Sequence, residues 1–545
     1  MRRHPVHSAS LQDERSRAAV EQTLAAFGLD GSDRLRLHSL DARHSDADIA
    51  FRLRAAMEAL GPVFRCFGRF IGMRLDLIDT PFWLELGAIE DRAEAAPPDE
   101  IDAWLAREIG APPQDVFESF EYEPLTSSTR FQTHRARLRD GRAVAVKLRR
   151  PGAHELLLGS AGLLRLVRGP LGLRDMDRAI AEFIDAVTEE ADLSRERSAL
   201  EAQVEDAAGF EWMAAARPVA QMCSAGALVV EAFEGPALAE ALRLCGTGGG
   251  ASVYCAGLRI GRAEAARLLC TVWLRQALAG QAFAAEPEAE RIVFMPGHRL
   301  AIGGDALTSL EPEQQAHLWG YVLAAAYDDP AGACRSLIRG MTCRDPGREA
   351  EIERRFLQLV PFRDGGWDGA DGQLLTHEVF CQWRTAGQMG FVAGRPLTAF
   401  YRGFARVALL ARRLAPEIDA MREATRELRL AGGCSELFGA LGRPAAAAEW
   451  MRQYAELALL MPKGIEEALR PGSTGDRGAG PPGYESGVDR RGNSTGMAAA
   501  LLAAFASASL LAHAWAGAGP SFHAASLAGL TIAGALLLAA IARMG

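Results

Sequence analysis

The sequence predicts an α+β fold in which a small sheet is followed by a mostly helical region. Four short pieces rich in β-branched and apolar residues read as strands, at 143–150, 227–233, 291–295 and 298–303. The longer segments place apolar residues at three- and four-residue steps, which is the period of an amphipathic helix. These segments cover 50–74, 99–109, 178–203, 262–278, 312–327 and 400–429.

Length and composition narrow the class of protein. The 545 residues suffice for roughly two to four domains, and 49% of them are hydrophobic, so the chain can bury a core. The formal net charge of -9 argues against a nucleic-acid-binding protein, which normally shows a basic excess. The nine cysteines include no CxxC pair, so we expect neither a disulfide framework nor a zinc site, and reduced cytosol is the default compartment.

Two stretches near the C-terminus have the length and composition of membrane spans. Residues 497–516 and 524–542 contain no Asp, Glu, Lys or Arg, and each would span about 30 Å as a helix, the thickness of the hydrocarbon core. Arginines precede the first span and follow the second, so the positive-inside rule puts both ends in the cytoplasm. The sequence therefore predicts a transmembrane helical hairpin over 497–545 in a bacterial-type inner membrane, with the soluble domain on the cytoplasmic side.

The same two stretches have a second interpretation. Alanine is only weakly apolar and His513 is polar, so both helices could instead pack on the soluble body. If they do cross the membrane, their alanine, glycine and serine residues would suit close pairing with each other or with a second copy of the chain.

The segments that flank the folded body are polar. Residues 471–496 are dense in Gly, Pro, Ser and charge, and they read as a flexible linker. Residues 1–45 read as a polar lead-in. The body that folds is then 46–470.

The strand at 143–149 carries the most specific chemical signal. It follows an Asp140-Gly141 turn, a strong hairpin signal, and it reads A-V-A-V-K. A lysine that ends such a strand matches the phosphate-contacting lysine of protein kinases. An exposed strand lysine is the ordinary alternative, but Lys147 is one of only two lysines among sixty basic residues. A lysine kept where arginine is used almost everywhere else indicates chemistry that a guanidinium does not supply.

Three blocks around this lysine resemble the UbiB (AarF) family of atypical kinase-like membrane proteins. They are LGPVFRCFGRFIGMRLDLIDTPFWLELGAIEDR at 60–92, EPLTSSTRFQTHRARLRDGRAVAVKLRRPG at 123–152 and EEADLSRE at 189–196. The likeness covers roughly residues 50–330. It implies a kinase-like fold with a helical N-terminal extension (46–122), an N-lobe (123–236) and a helical C-lobe (237–470). It also implies inner-membrane anchoring and an accessory role in ubiquinone or isoprenoid lipid biosynthesis, with enzymes of that pathway or prenylated lipid intermediates as partners.

The resemblance assigns nucleotide-binding roles to several residues of the N-lobe and makes ATP a candidate ligand. Lys147 matches the phosphate lysine, and Glu190 and Asp192 match the family's ExD pair, which supplies the carboxylate partner of that lysine and a further acidic group. The family's alanine-rich nucleotide loop is replaced by four hydroxyl residues, which are Thr126, Ser127, Ser128 and Thr129. The family's KxGQ motif aligns with Cys66–Arg69, where only the glycine remains.

The catalytic half of the resemblance is degraded. Where the family has HADPHPGN this chain has AAEPEAER, so the catalytic-aspartate position is Glu286 and the metal-binding asparagine position is Arg291. The metal-binding aspartate aligns with Gly304, although Asp305 lies one residue later and could serve if the preceding turn holds an extra residue. A guanidinium cannot ligate Mg²⁺ and carries positive charge where the metal should lie, so these changes argue against Mg²⁺.

Three functions remain open at this point. The leading interpretation is a membrane-anchored pseudokinase that acts as an accessory in ubiquinone or isoprenoid lipid biosynthesis. The second is an active ATPase or small-molecule kinase that uses Lys147, Glu190, Glu286 and Asp305. The third is a non-catalytic structural binding module whose pocket is filled by its own side chains.

Overall fold

The structure of the protein, a computed structural model, describes residues 6–29, 46–74, 76–173, 175–233, 235–246, 260–326, 330–359 and 374–431. The chain divides between Leu459 and Leu460 into two compact units, and all the described residues belong to the first. The predicted linker (471–496) and the two predicted membrane spans lie outside the described residues.

Helices dominate the described chain, and three small sheets of four, three and two strands interrupt them. The helices are α1 (Val6–Ala26), α2 (Asp46–Leu60), α3 (Pro62–Gly72), α4 (Thr80–Leu86), α5 (Pro98–Ile109), α6 (Pro113–Val116), α7 (Ala153–Ser160), α8 (Arg168–Leu171), α9 (Met176–Glu190), α10 (Leu193–Ala207), α11 (Leu238–Gly246), α12 (Arg262–Ala279), α13 (Pro312–Ala326), α14 (Pro330–Arg339), α15 (Glu349–Leu359), α16 (Leu375–Gln388), α17 (Arg395–Leu414) and α18 (Ala420–Ala431). Three 3₁₀ segments are Ala161–Val167, Ala220–Met222 and Pro346–Arg348. The strands are β1 (Phe117–Ser127), β2 (Phe131–Leu138), β3 (Ala143–Arg149), β4 (Met213–Ala214), β5 (Ala227–Glu231), β6 (Phe283–Met295), β7 (Arg299–Thr308), β8 (Thr342–Cys343) and β9 (Phe391–Val392).

The first sheet is an antiparallel β1-β2-β3-β5 sheet. The predicted Asp140-Gly141 turn joins β2 to β3, and Gly141 has a φ of 88°, a conformation that glycine adopts without strain. Along β3 the side chains alternate between two sides, as a strand requires. Val144 and Val146 join one apolar cluster with α5, and Lys147 lies over the ring of Phe131, which belongs to the cluster on the other side.

Two helices that the apolar period predicts as continuous are each broken in the structure. The segment 50–74 becomes α2 and α3, separated at Gly61, whose φ of 93° ends the first helix before Pro62 starts the second. The segment 178–203 becomes α9 and α10, because Asp192 caps a new helix. Hydrophobic period alone does not register these breaks, since the apolar face continues across them.

The second sheet has the order β4-β7-β6 and contains the segment that resembles a catalytic loop. The sequence predicts strands at 291–295 and 298–303 here, but β6 already begins at Phe283 and includes all of Ala284–Arg291, and β7 continues to Thr308. In the antiparallel β6–β7 register Glu286 lies opposite Asp305, and an irregularity follows between Pro287 and Ile292. The hairpin thus brings the catalytic-aspartate position next to the metal-aspartate position.

Helices α12 and α17 pack against strand β6 of this hairpin. Trp273 of α12 is fully buried and donates its Nε1 hydrogen bond to the carbonyl of Ala284 at 2.8 Å. At Gly403 of α17 an added Cβ would come within 3.0 Å of the same carbonyl, so only glycine permits this approach of helix to strand. The close packing fixes the neighbouring residue, Arg402, beside β6.

No helix among the described residues has both the length and the apolar character that a bilayer crossing requires. The stretches for which the sequence predicts such helices are outside that set.

Candidate functional site

Lys147 ends in a buried group of three charges between the two sheets. Its Nζ lies 2.7 Å from Oε2 of Glu196, and Nη2 of Arg291 lies 3.0 Å from the other oxygen of the same carboxylate. The exposed fractions of the Lys147 and Glu196 side chains are 4% and 8%, so this contact is screened from water. The lysine also lies 4.2 Å from the centroid of the Phe131 ring. One carboxylate of α10 therefore serves two cations, one from each sheet.

The carboxylate partner expected for this lysine was Glu190, and that expectation is wrong. Glu190 is the last residue of α9, and its two oxygens face Arg130 and Arg402. Glu196 lies one turn into the next helix, where the break at Asp192 turns its side chain toward β3. The sequence block EEADLSRE contains both glutamates, but their roles depend on a helix break that the apolar period does not indicate.

Glu190 belongs instead to a second group, a ring of four alternating charges. Arg130 pairs with Glu190 and lies 3.8 Å from Oε2 of Glu286, while Arg402 lies 3.4 Å from Oε1 of Glu286 and 3.6 Å from Oε1 of Glu190. All four side chains are at most 17% exposed. Each carboxylate thus lies between the same two guanidinium groups. The planar carboxylates accept hydrogen bonds and the planar guanidinium groups donate them, so the two kinds of group suit each other. We call these four residues the charge ring.

The members of the charge ring come from four distant parts of the chain. Arg130 lies in the turn between β1 and β2, Glu190 ends α9, Glu286 lies in β6 and Arg402 lies in α17. Sequence analysis missed both arginines. For Arg402 a signal existed, because it stands on the buried side of an amphipathic helix, among Leu397, Phe400, Tyr401, Phe404 and Ala405, where a charge demands a partner.

The hydroxyl loop, residues 126–129, forms hydrogen bonds with other parts of the protein. Ser127 accepts a hydrogen bond from Arg150 at 2.6 Å, and Ser128 exchanges hydrogen bonds with the backbone of Phe131. Thr129 donates from both its backbone N–H and its hydroxyl to Oδ1 of the buried Asp91, at 3.1 and 2.5 Å. Thr126 pairs through its backbone with β2. Three of the four hydroxyl groups thus have protein partners, and their predicted phosphate contact stays a prediction.

Asp192 has a structural position in the fold. Its Oδ1 accepts hydrogen bonds from the backbone N–H of Ser194 at 3.0 Å and from the hydroxyl of the same residue at 2.6 Å, so it is the N-cap of α10. These hydrogen bonds hold the pKa of the Asp192 carboxyl below its ordinary value. Through this cap Asp192 fixes where α10 begins, and hence where Glu196 points.

Helix α3, which carries the remnant of the KxGQ motif, lies against the charge ring. Arg69 reaches Glu288 of β6 at 3.5 Å, and the Cys66 thiol donates to Oδ2 of Asp91 at 3.4 Å. Burial, with the adjacent Asp91, raises the pKa of this thiol well above its ordinary value. The glycine that remains, Gly68, lies where an added Cβ would meet Ile89 and Met57 at 2.6 and 2.8 Å. Its small size therefore serves the packing of α3.

The residues at the aligned catalytic-aspartate and metal-asparagine positions, Glu286 and Arg291, are both held in ion pairs. Each oxygen of Glu286 faces an arginine, and Arg291 holds Glu196 from the position where the family has an asparagine ligand. Among the side chains that the structure describes, no three His, Cys, Asp or Glu residues come together as metal ligands. The side chain of Asp305 is outside that set, so its predicted metal role stays a prediction.

A small cavity lies between α3 and the charge ring. The cavity lined by Cys66, Arg69, Asp91, Arg130 and Glu286 holds only about 20 Å³, which is of the order of one water molecule. Arg130, which directly follows the hydroxyl loop, reaches Glu190 and Glu286 at the edge of this cavity. Lys147 does not line this cavity, so the cavity does not test the ATP binding that a kinase-like domain suggests.

The fold and the cleft define an atypical kinase-like domain, and comparisons with known proteins agree. Residues 88–308 match the model of the ABC1 atypical kinase-like domain. A protein named Probable protein kinase UbiB from Marinobacter nauticus is 33% identical over 152 residues, which are 27% of this chain and 28% of that protein. A protein of the same name from Pseudomonas putida is 29% identical over 200 residues, 35% of this chain and 37% of that protein. Residues 88–308 therefore form a kinase-like domain of the UbiB (AarF) type, as the motifs of the sequence indicated.

These matches are partial. The chain spans about a third of the length of the curated relatives it matches. A solved structure titled as the complex of Rv3197 with erythromycin from Mycobacterium tuberculosis covers 62% of this chain and 82% of that chain, at 20% identity and a TM-score of 0.35. That likeness is too distant to bear on the site.

The charge ring leads to a prediction about pH. Burial, with the nearby Glu286, raises the pKa of Glu190 above its ordinary value of 4.5 in spite of Arg130 and Arg402. As pH falls from neutrality, the folded chain therefore takes up this proton before the unfolded chain does, which stabilises the folded state. We therefore compare the wild type with Glu190→Gln. As pH is lowered from 7.5 to 5, the free energy of unfolding of the wild type should increase relative to that of the variant. Urea unfolding of both proteins at the two pH values measures this difference. A difference that shrinks as pH falls would mean that the arginines dominate.

Proposed function

We propose that this protein is a kinase-fold accessory protein that does not transfer phosphoryl groups. The observation that carries the proposal is that Arg291, at the position of a metal ligand, holds the same carboxylate as Lys147. Phosphoryl transfer depends on positioning and on charge neutralisation by metal ions. The loss of one electrostatic donor typically costs about 3 kcal/mol in the barrier, and several groups differ here.

In this proposal the charged residues of the cleft act as a brace, which means that they stabilise the arrangement of the surrounding strands and helices and do not catalyse a reaction. Lys147, Glu196 and Arg291 connect the two sheets, and the charge ring connects the β1–β2 turn to α9, β6 and α17. Buried, mutually paired charges of this kind hold elements in one arrangement and leave few cations for a ligand phosphate. The name of the relatives supports a role beside ubiquinone or isoprenoid lipid biosynthesis, with pathway enzymes or prenylated lipid intermediates as partners.

A thermal-shift titration with ATP tests the proposal. We expect Mg²⁺ to make no difference to any shift in melting temperature, and we expect no phosphate release above that of the Lys147→Arg variant. Metal-independent binding without release would still agree with the proposal, because Arg291 can provide charge where a metal would. A shift that requires Mg²⁺, together with phosphate release that Lys147→Arg abolishes, would overturn it.

An active ATPase or small-molecule kinase is the second candidate. The observation that favours it is the retained contact between Lys147 and a carboxylate of the following helices, which a working kinase also needs. This candidate requires a thermal shift that depends on Mg²⁺ and phosphate release that Lys147→Arg abolishes.

We also propose that the chain is anchored in a bacterial inner membrane by 497–545, with the domain described above on the cytoplasmic side. The two uncharged spans of the sequence support this placement, and their small residues would pair with each other or with those of a second copy. Deletion of 497–545 is expected to move the protein from the membrane fraction to the soluble fraction on centrifugation. If the shortened chain stays with the membrane, the hairpin is not the anchor.

A further inference from the structure

One aromatic side chain, that of Phe131, covers Lys147 on the side of the first sheet that faces the cleft. Phe131 begins β2 and is 4% exposed. Thr133 lies directly opposite Lys147 in the β2–β3 register, and Phe131 precedes Thr133 by one pleat of the strand. The three side chains therefore project from the same side of the sheet. The centroid of the Phe131 ring lies 4.2 Å from Nζ of Lys147.

Phe131 belongs to a small apolar cluster that joins the first and second sheets. Its other buried members are Leu193 and Leu200 of α10 and Leu228 of β5, and Leu307 of β7 packs against them. Among the members of this cluster that the structure describes, Phe131 is the only aromatic residue. Aliphatic side chains from several elements around one planar ring are the usual lining of a pocket for an aromatic group, and here the chain supplies the ring itself.

The ring also lies beside a cation of each charged group in the cleft. The guanidinium carbon of Arg130, a member of the charge ring, is 5.3 Å from its centroid. Nζ of Lys147 also lies 2.7 Å from Glu196, and the lysine side chain is 4% exposed, so the carboxylate and the ring both shield the ammonium group from water. A cation is attracted to the face of an aromatic ring most strongly where water is excluded. This attraction favours the position in which Phe131 covers Lys147.

We propose that Phe131 is an internal gate, and that displacement of its ring opens a site for a planar aromatic group beside Lys147. In the arrangement described above the gate is closed, because the ring of Phe131 occupies that site. A ligand that binds there stabilises the open conformation at the expense of the closed one. The inference deepens the proposed function, since a cleft closed by its own side chain does not require a substrate for phosphoryl transfer.

Acetylation of Lys147 in the full-length chain measures whether the gate is closed. Lys463 is the other lysine of the chain, so mass spectrometry of peptides distinguishes the two. We expect an amine-selective acetylating reagent to modify Lys147 far more slowly in the folded wild type than in urea. Phe131→Ala should raise the rate about 30-fold, the factor that corresponds to one desolvated cation–π contact. Phe131→Leu keeps apolar contacts without a π face and should raise it severalfold, which gives a second reading on a less disruptive variant.

Phe117→Ala provides a matched control, because Phe117 is 3% exposed but belongs to the cluster on the other side of the first sheet. It loses a buried ring of the same size and should leave the rate at Lys147 near that of the wild type. Circular dichroism of each variant checks that the fold is kept.

Added indole should restore slow acetylation to Phe131→Ala, because its ring refills the site. Cyclohexanol, which has no π face for the ammonium group, should protect much less. The proposal is overturned if acetylation is as slow in both Phe131 variants as in the wild type, if Phe117→Ala speeds it equally, or if indole protects no better than cyclohexanol. Phosphate release is measured separately, so a failure of the proposed function is seen apart from a failure of the gate.

Discussion

Replacement of Arg402 by alanine is expected to lower the free energy of unfolding by about 3–5 kcal/mol, the usual cost of removing one partner of a buried ion pair. Arg402 is buried in α17 and contacts both carboxylates of the charge ring. Its removal leaves Glu190 and Glu286 close together with Arg130 as their shared cation. Urea unfolding followed by circular dichroism measures the loss.

A second arginine of the same helix provides the control. Arg395 pairs with Asp185 and Glu189, but its side chain is 65% exposed. Arg395→Ala should therefore cost only about 0.2–1 kcal/mol. Equal losses for the two variants would show that the charge ring is not shielded from water, and the brace proposed for the cleft would lose its basis.

Replacement of Glu196 by alanine is expected to be as costly, with a loss of about 3–5 kcal/mol, because two cations then lose their shared partner. Lys147 and Arg291 contact the two oxygens of this one carboxylate, and the lysine is almost fully buried. The repulsion between the cations adds to the cost of the missing bonds. Thermal and urea unfolding of the variant measure the effect.

Glu201 lies on the same helix and is matched to Glu196 in residue type. It is 50% exposed and lies 3.6 Å from Arg197, so Glu201→Ala should change the free energy of unfolding by less than about 0.5 kcal/mol. A loss at Glu196 as small as that at Glu201 would contradict the geometry described for Lys147.

The sequence predicted the strand that carries Lys147 and the class of the fold. Alternation and the Asp-Gly turn are local properties, and the β2–β3 hairpin forms where they indicate it. The kinase-like family is confirmed by the match over residues 88–308. The domain boundaries and the nucleotide and metal roles stay predictions.

The partners within the cleft could not be predicted. Which carboxylate meets Lys147 depends on the break at Asp192, where a single capping side chain outweighs a continuous apolar period. The contacts of the charge ring join residues between 60 and 212 positions apart, and such contacts leave no periodic signal in one sequence. Strand β6 begins eight residues before the predicted strand at 291–295, and its side chains already alternate in burial from Ala285 onward.

The position of Arg130 has a dynamic consequence. Because its guanidinium is held by glutamates of α9 and β6, the β1–β2 turn cannot lift without breaking contacts in both. Thr129, next to it, is tied to Asp91, which precedes the sheet. Local fraying of this turn would therefore expose buried charges at once, so opening of the turn, the end of α9 and the start of β6 should occur as one cooperative unit. We therefore expect the amides of the β1–β2 turn to exchange at the rate of α9 and β6 rather than at the faster rate of a mobile loop.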